Sequence, residues 1–272
     1  MFANFPWTEF LIIWGLGMLG TVLVIPYSLA LSRERQPQSS LPLPALLALS
    51  LLQNGVILGL AVGLGLVAAR ATGLGAPFIS AWAAGRSALA GLADLLPLAV
   101  GAGLLVGALL VALELAVFLP HLPEKLRQMN PQTGPFNGFL ASFYGAFTEE
   151  ILTRLFLFSG AAWLLGLFWQ APGGQPAAGA FWSANLLAAL LFGLAHLPAT
   201  AAVTPLTPLV VTRALVLNGF AGLVFGLVYW RFGLEAAMVA HFSADIVLHV
   251  ITPFVYQRRA AARVLNGPPA ME

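Results

Sequence analysis

Residues 137–169 read NGFLASFYGAFTEEILTRLFLFSGAAWLLGLFW, and the fold turns on how this stretch is taken. It is long and apolar enough to cross about 30 Å of hydrocarbon, yet Glu149, Glu150 and Arg154 interrupt it. Each ionised group near a bilayer centre costs roughly 2.5–3.5 kcal/mol, so three unpaired ones would cost about 8–10 kcal/mol. Helical geometry divides their roles. At about 100° per residue, Glu150 and Arg154 stand within about 40° of each other, whereas Glu149 points roughly 140° away from Arg154. The spacing predicts a structural ion pair, Glu150–Arg154, and leaves Glu149 to find a partner on another helix.

The rest of the chain agrees with a membrane setting. Of its 272 residues 60% are apolar and 8% charged, about a third of the charge that a water-facing surface carries. Mean hydropathy is +0.90. Seven stretches approach crossing length: Phe10–Leu31, Ala45–Ala69, Leu96–Phe118, Asn137–Trp169, Phe181–Leu197, Leu209–Trp230 and Leu234–Val255. The fourth is overlong and the fifth short. Between them lie breakers, among them Gln36 to Ser40, Pro120 to Pro135, Pro172-Gly173-Gly174 and Pro205 to Pro208. Ala71 to Pro97 reads as an interfacial helix carrying Trp82, Arg86 and Asp94, with an eighth crossing as the alternative. The fold class is therefore all-α, a polytopic bundle of seven to eight spans. Residues 1–272 read as a single membrane-embedded domain, with the motif-bearing half over about 137–255. Phe10–Leu31 is too long for a signal-peptide core and reads as a retained span.

One Lys and eleven Arg are scattered without a basic block, so nothing points to nucleic acid. An external N-terminus leaves Arg33, Arg35, Lys125, Arg127, Arg213, Arg258, Arg259 and Arg263 inside, and Arg70, Arg86 and Arg231 outside. For seven spans the positive-inside rule then favours N-out with a cytoplasmic C-terminus, and a plasma membrane is the expected location. Gly55-xxx-Gly59-xxx-Gly63, Gly103-xxx-Gly107 and Gly222-xxx-Gly226 read as seams for close helix packing, within the chain rather than between copies. Cysteine is absent, which removes thiolate catalysis, disulfides and zinc–thiolate sites.

Two further spans carry polar groups. His196 follows Phe192 by four residues, and His241 precedes Asp245 by four, with His249 one turn beyond. One unpaired Glu and two His, from three separate helices, are what a buried hydrolytic site requires. Glu149-Glu150-x-x-x-Arg154, Phe192-x-x-x-His196 and His241-x-x-x-Asp245, in this order, resemble the three motifs of the type II CAAX prenyl endopeptidase family, also called the CAAX protease and bacteriocin-processing (CPBP or Abi) family. The resemblance covers about residues 137–255. It implies an eight-helix or similar bundle that cleaves near the C-terminus of membrane-associated, in some members prenylated, substrates. It also implies that Glu149 is the catalytic carboxylate, that His196 helps it activate water, and that His241 and Asp245 stabilise the oxyanion. The last position is typically Asn in prenyl endopeptidases and Asp in many bacterial relatives; here it is Asp245.

The chemistry holds on its own terms. Peptide hydrolysis needs a base for water, and Glu149, unpaired with Arg154, is the better candidate. His196 shares that water and later protonates the leaving amine, and His241 donates to the oxyanion. An ionised Asp245 has the wrong sign for that task, so it orients His241 or is itself protonated. The chain has no H-E-x-x-H helix, no G-x-S-x-G elbow and no G-x-G-D. No cofactor is expected. Zinc is the alternative, with Glu149, His196, His241 and Asp245 as acceptable ligands. The expected partners are a membrane-associated peptide or protein substrate and the lipid bilayer. The rival readings are a non-catalytic scaffold or bacteriocin-immunity protein and a proton-coupled transporter; against the latter, no internal repeat is found.

Overall fold

Helix α1 (Trp7–Leu31) is the first of six helices, among the described residues, that are long and apolar enough to cross a membrane. The others are α2 (Leu43–Thr72), α4 (Gly91–His121), α6 (Ala178–Ala201), α7 (Pro208–Phe232) and α8 (Leu234–Val255). The computed structural model describes residues 5–32, 41–87, 89–122, 134–202 and 204–255. A seventh long helix, α5, runs unbroken over residues 134–166. It holds Glu149, Glu150 and Arg154, and these three charges set it apart from the other six. The protein is thus an all-α integral membrane bundle.

Two expectations shift. The segment after α2 contributes only α3 (Pro77–Ala83), a seven-residue helix too short to cross. Trp82 lies on it, 67% exposed, while Arg86 falls in the following turn and Asp94 belongs to α4. Among the described residues no eighth run of crossing length lies there. The fifth run is also longer than hydropathy suggested, because the helix resumes at Leu197 and continues to Ala201. Arg33, Arg35, Lys125, Arg127, Arg258, Arg259 and Arg263, and the break from Gln36 to Ser40, lie outside the described residues.

The helix ends follow local chemistry. Helix α2 has proline near its start and stops at Gly73, whose φ of 73° suits a residue without Cβ. Helix α7 starts on Thr207, whose hydroxyl accepts from the Val210 amide at 3.3 Å, with Pro208 in its first turn. Along α2, Leu58, Val62 and Leu66 are buried while Leu52, Leu60 and Leu64 are exposed. An apolar outer face of this kind belongs against lipid.

Helix α5 occupies the middle. Its first half packs on α1 and α8, its second half on α2 and α6. Small residues permit the approach: a Cβ on Gly65 of α2 would fall 2.7 Å from the Leu155 carbonyl oxygen. The glycine seams pack inside the chain as expected. Gly103 and Gly107 lie against α8 at Ala240, Ala244 and Val247, Gly222 and Gly226 against α6 at Ala189 and Asn185, and Gly55 and Gly59 face Trp14 of α1.

Candidate active site

Helix α5 is wound as a π-helix over Tyr144–Glu149 and again over Ile151–Phe158, on either side of Glu150. Insertions of this kind collect at functional sites, and their wider turns rotate less per residue than an α-helix. Glu149 and Glu150 therefore do not simply face apart. Both reach the imidazole of His241, at its two different nitrogens.

Glu150 is fully buried. Its Oε1 accepts from Nδ1 of His241 at 2.8 Å, and its Oε2 stands 3.2 Å from Nε of Arg154. The expected ion pair is present, and the same carboxylate also holds a histidine. Arg154, 1% exposed, donates to Thr153 Oγ1 and, at 3.1 Å, to the Gly222 carbonyl of α7. Its guanidinium lies over the rings of Phe192 and Phe225, at 5.2 and 5.8 Å. Phe225 also stacks on His241, with centroids 4.7 Å apart. The buried cation is thus met by a carboxylate, a carbonyl, a hydroxyl and two aromatic faces, which offsets its desolvation.

Glu149 is the free carboxylate that the spacing predicted. Its Oε1 is 4.0 Å from Nε2 of His196, and its Oε2 is 3.8 Å from Nε2 of His241. The tautomers follow from the partners. Nδ1 of His196 is 2.8 Å from the Phe192 carbonyl, which only accepts, so Nδ1 carries the proton. Nδ1 of His241 likewise donates to the ion-paired Glu150. Both Nε2 atoms thus turn toward Glu149, whose side chain is 21% exposed beside a His196 that is 31% exposed.

Asp245 lies below His241, with Oδ1 3.8 Å from its Nε2. Gly145 of α5 lets the two helices close here: a Cβ on it would collide with Asp245 Oδ2 and come within 3.0 Å of His241 Nε2. All six sequence-selected residues, Glu149, Glu150, Arg154, His196, His241 and Asp245, meet in one cluster. Phe192 meets His196 edge-on at 4.7 Å.

Sequence reading missed the groups that orient the two histidines, Glu150 and the Phe192 carbonyl. The second was signalled by i, i+4 spacing; the first was hidden because Glu150 already had Arg154. Among the described residues no three His, Asp or Glu side chains are arranged to hold a metal ion. A cavity of about 280 Å³ lies elsewhere, lined by Glu9, Arg70, Ser80 and Arg231 among others. There Glu9 bonds Arg70 at 2.8 Å and Ser80 at 2.9 Å, pairing charges that sequence reading left single.

The family model described as type II CAAX prenyl endopeptidase Rce1-like matches residues 131–247. Residues 131–247 are similar to that family. That segment contains every residue of the cluster and ends two residues after Asp245. No curated protein and no solved structure gives a significant match to the chain. The match points to a CAAX-type protease at the level of that family, and the apolar helices place the chain in a membrane.

Proposed function

We propose that the chain is a glutamic-type endopeptidase that hydrolyses a peptide bond near the C-terminus of a membrane-associated substrate, with Glu149 and His196 activating water. One observation carries this reading. Glu149 is held clear of Arg154 by Glu150, and its two oxygens face the Nε2 atoms of His196 and His241 at 4.0 and 3.8 Å. A water hydrogen-bonded at about 2.8 Å to both Glu149 and His196 fits a 4.0 Å gap.

Glu149 takes a proton from that water as its oxygen attacks the carbonyl carbon. The electron pair of the C=O bond moves to oxygen, and the oxyanion develops beside His241. Because Nδ1 of His241 is committed to Glu150, only an imidazolium offers an Nε2–H to that oxyanion. Three carboxylates, Glu149, Glu150 and Asp245, lie within 3.8 Å of the ring to balance such a charge. The oxyanion's electron pair then returns to re-form C=O as the C–N bond breaks, and the leaving nitrogen takes the proton that Glu149 drew from water, passed on through His196. No step calls for a metal.

An aromatic ladder supports an apolar substrate. Phe139, Phe143 and Phe147 on α5 contact one another or Phe242 at centroid distances of 4.9–6.0 Å, and Phe147 sits just before Glu149. Such a track suits a lipidated, for instance prenylated, segment. Arg70 and Arg231 share one end of the bundle and Arg213 begins α7 at the other; the inside excess of positive charge behind the expected orientation rests on Arg33, Arg35, Lys125, Arg127, Arg258, Arg259 and Arg263, outside the described residues. The test is cleavage of a membrane-tethered peptide by purified protein, with Glu149→Gln as control. Equal cleavage by both proteins overturns the proposal.

A further inference from the structure

His249 has no part in the mechanism above and lies beyond residue 247, where the family match ends. It stands on the π-helical segment Ile246–Ile251 of α8. Its Nε2 is 3.7 Å from Oδ1 of Asp245, and the same oxygen is 3.8 Å from Nε2 of His241. Asp245 therefore lies between two imidazoles, one nearly buried and one 39% exposed.

The charges explain why a second imidazole is needed. Glu149, Glu150 and Asp245 gather around His241, while Arg154 is given over to Glu150. One Nε2–H on His241 cannot serve Glu149, Asp245 and a developing oxyanion together. An Asp245 carboxylate left without another partner would repel the oxyanion. His249 is placed to take it. Gly138 of α5 lets the His249 backbone pack closely, and Tyr27 of α1 meets the ring edge-on at 6.0 Å. Asp245 and Tyr27 both contact that ring.

We propose that His249 is a positioning residue: it holds the Asp245 carboxylate from the exposed side and draws its charge away from the oxyanion position beside His241. The catalytic part of this rests on the function proposed above; the pairing of the two side chains does not.

A double-mutant cycle of His249→Gln and Asp245→Asn tests it, with two readouts in detergent micelles: cleavage of the membrane-tethered peptide and the thermal unfolding midpoint. With Asp245 present, His249→Gln is expected to lower kcat/KM roughly tenfold and the midpoint by about 2–4 °C. In the Asp245→Asn background there is no charge to hold, and the same substitution should change kcat/KM less than about twofold and the midpoint by under about 1 °C. Equal losses in both backgrounds, or no loss in either, overturn the proposal even if the wild type is a protease. A wild type inactive on every peptide, with the midpoint coupling intact, sinks the proposed function and leaves the His249–Asp245 pairing standing.

Discussion

Glu150→Gln isolates the charge at the centre of the cluster. Glutamine keeps an oxygen that can accept from His241, so the 2.8 Å hydrogen bond survives in shape. What is lost is the negative charge 3.2 Å from an Arg154 that is 1% exposed. Removing one partner of a buried pair costs about 3–5 kcal/mol, because the other charge is stranded. At about 2–4 °C per kcal/mol for a chain of this size, the unfolding midpoint should fall by about 6–20 °C. The carbonyl and hydroxyl contacts and the two aromatic faces on Arg154 place the expectation toward the lower end. Glu149→Gln removes a one-fifth exposed carboxylate whose histidine partners stand no closer than 3.8 Å, so its cost should stay near about 0.5 kcal/mol. The assay is thermal unfolding of the purified variants in one detergent, followed by circular dichroism. Adding Arg154→Met to Glu150→Gln should recover most of the loss, since an apolar group of similar length leaves no stranded cation. Equal midpoints for the two Gln variants, or no recovery in the double variant, would refute the assignment of Glu150 as the charge that holds Arg154.

Three other outcomes are expected. Glu149→Gln should fold normally and lose about 10²–10⁴-fold in cleavage rate, measured by mass spectrometry of the released peptide. Gly145→Ala should cost about 1–3 kcal/mol and most of the activity, because its methyl group would meet Asp245 and His241; a fully active variant would show that α5 and α8 separate freely at the site. Cleavage should survive exhaustive chelation, with no stoichiometric metal found by elemental analysis. Loss on chelation restored by added zinc would recast Glu149 as a ligand or as the base beside a metal-bound water.

Much of the arrangement could be read from residue type and spacing. Ionised groups in an apolar run must face protein rather than lipid, which alone drew attention to Glu149, Glu150 and Arg154; helical spacing set Glu150 beside Arg154, and the two stand 3.2 Å apart. The i, i+4 spacing of His241 and Asp245 placed them on one face, and Gly103 and Gly107 marked where α4 meets α8. Periodicity failed where the winding changes. A reading at 3.6 residues per turn separates Glu149 from Glu150 by their direction, and has no means of seeing the π-helical turns that let both reach one imidazole. Long-range partners were equally hidden. Nothing in the spacing joins Glu9 to Arg70, 61 residues apart, or Glu235 to the Ile79 amide on α3, from which it accepts at 2.8 Å.

The two adjacent glutamates show how one helix supplies both stability and reactivity. A carboxylate ion-paired with Arg154 and hydrogen-bonded to His241 has its charge spent, and it is the wholly buried one, Glu150. That commitment fixes the His241 ring and removes Arg154 as a partner for the neighbouring residue. Glu149 is left partly exposed and facing two Nε2 atoms, the position that the general base of the proposed function requires. The order of the pair matters as well. Exchanging which carboxylate is buried would put the base against Arg154, where its proton affinity would be spent on an ion pair. On the proposed function, the stability of the cluster and the availability of its base are therefore set by the same contact, between Glu150 and Arg154.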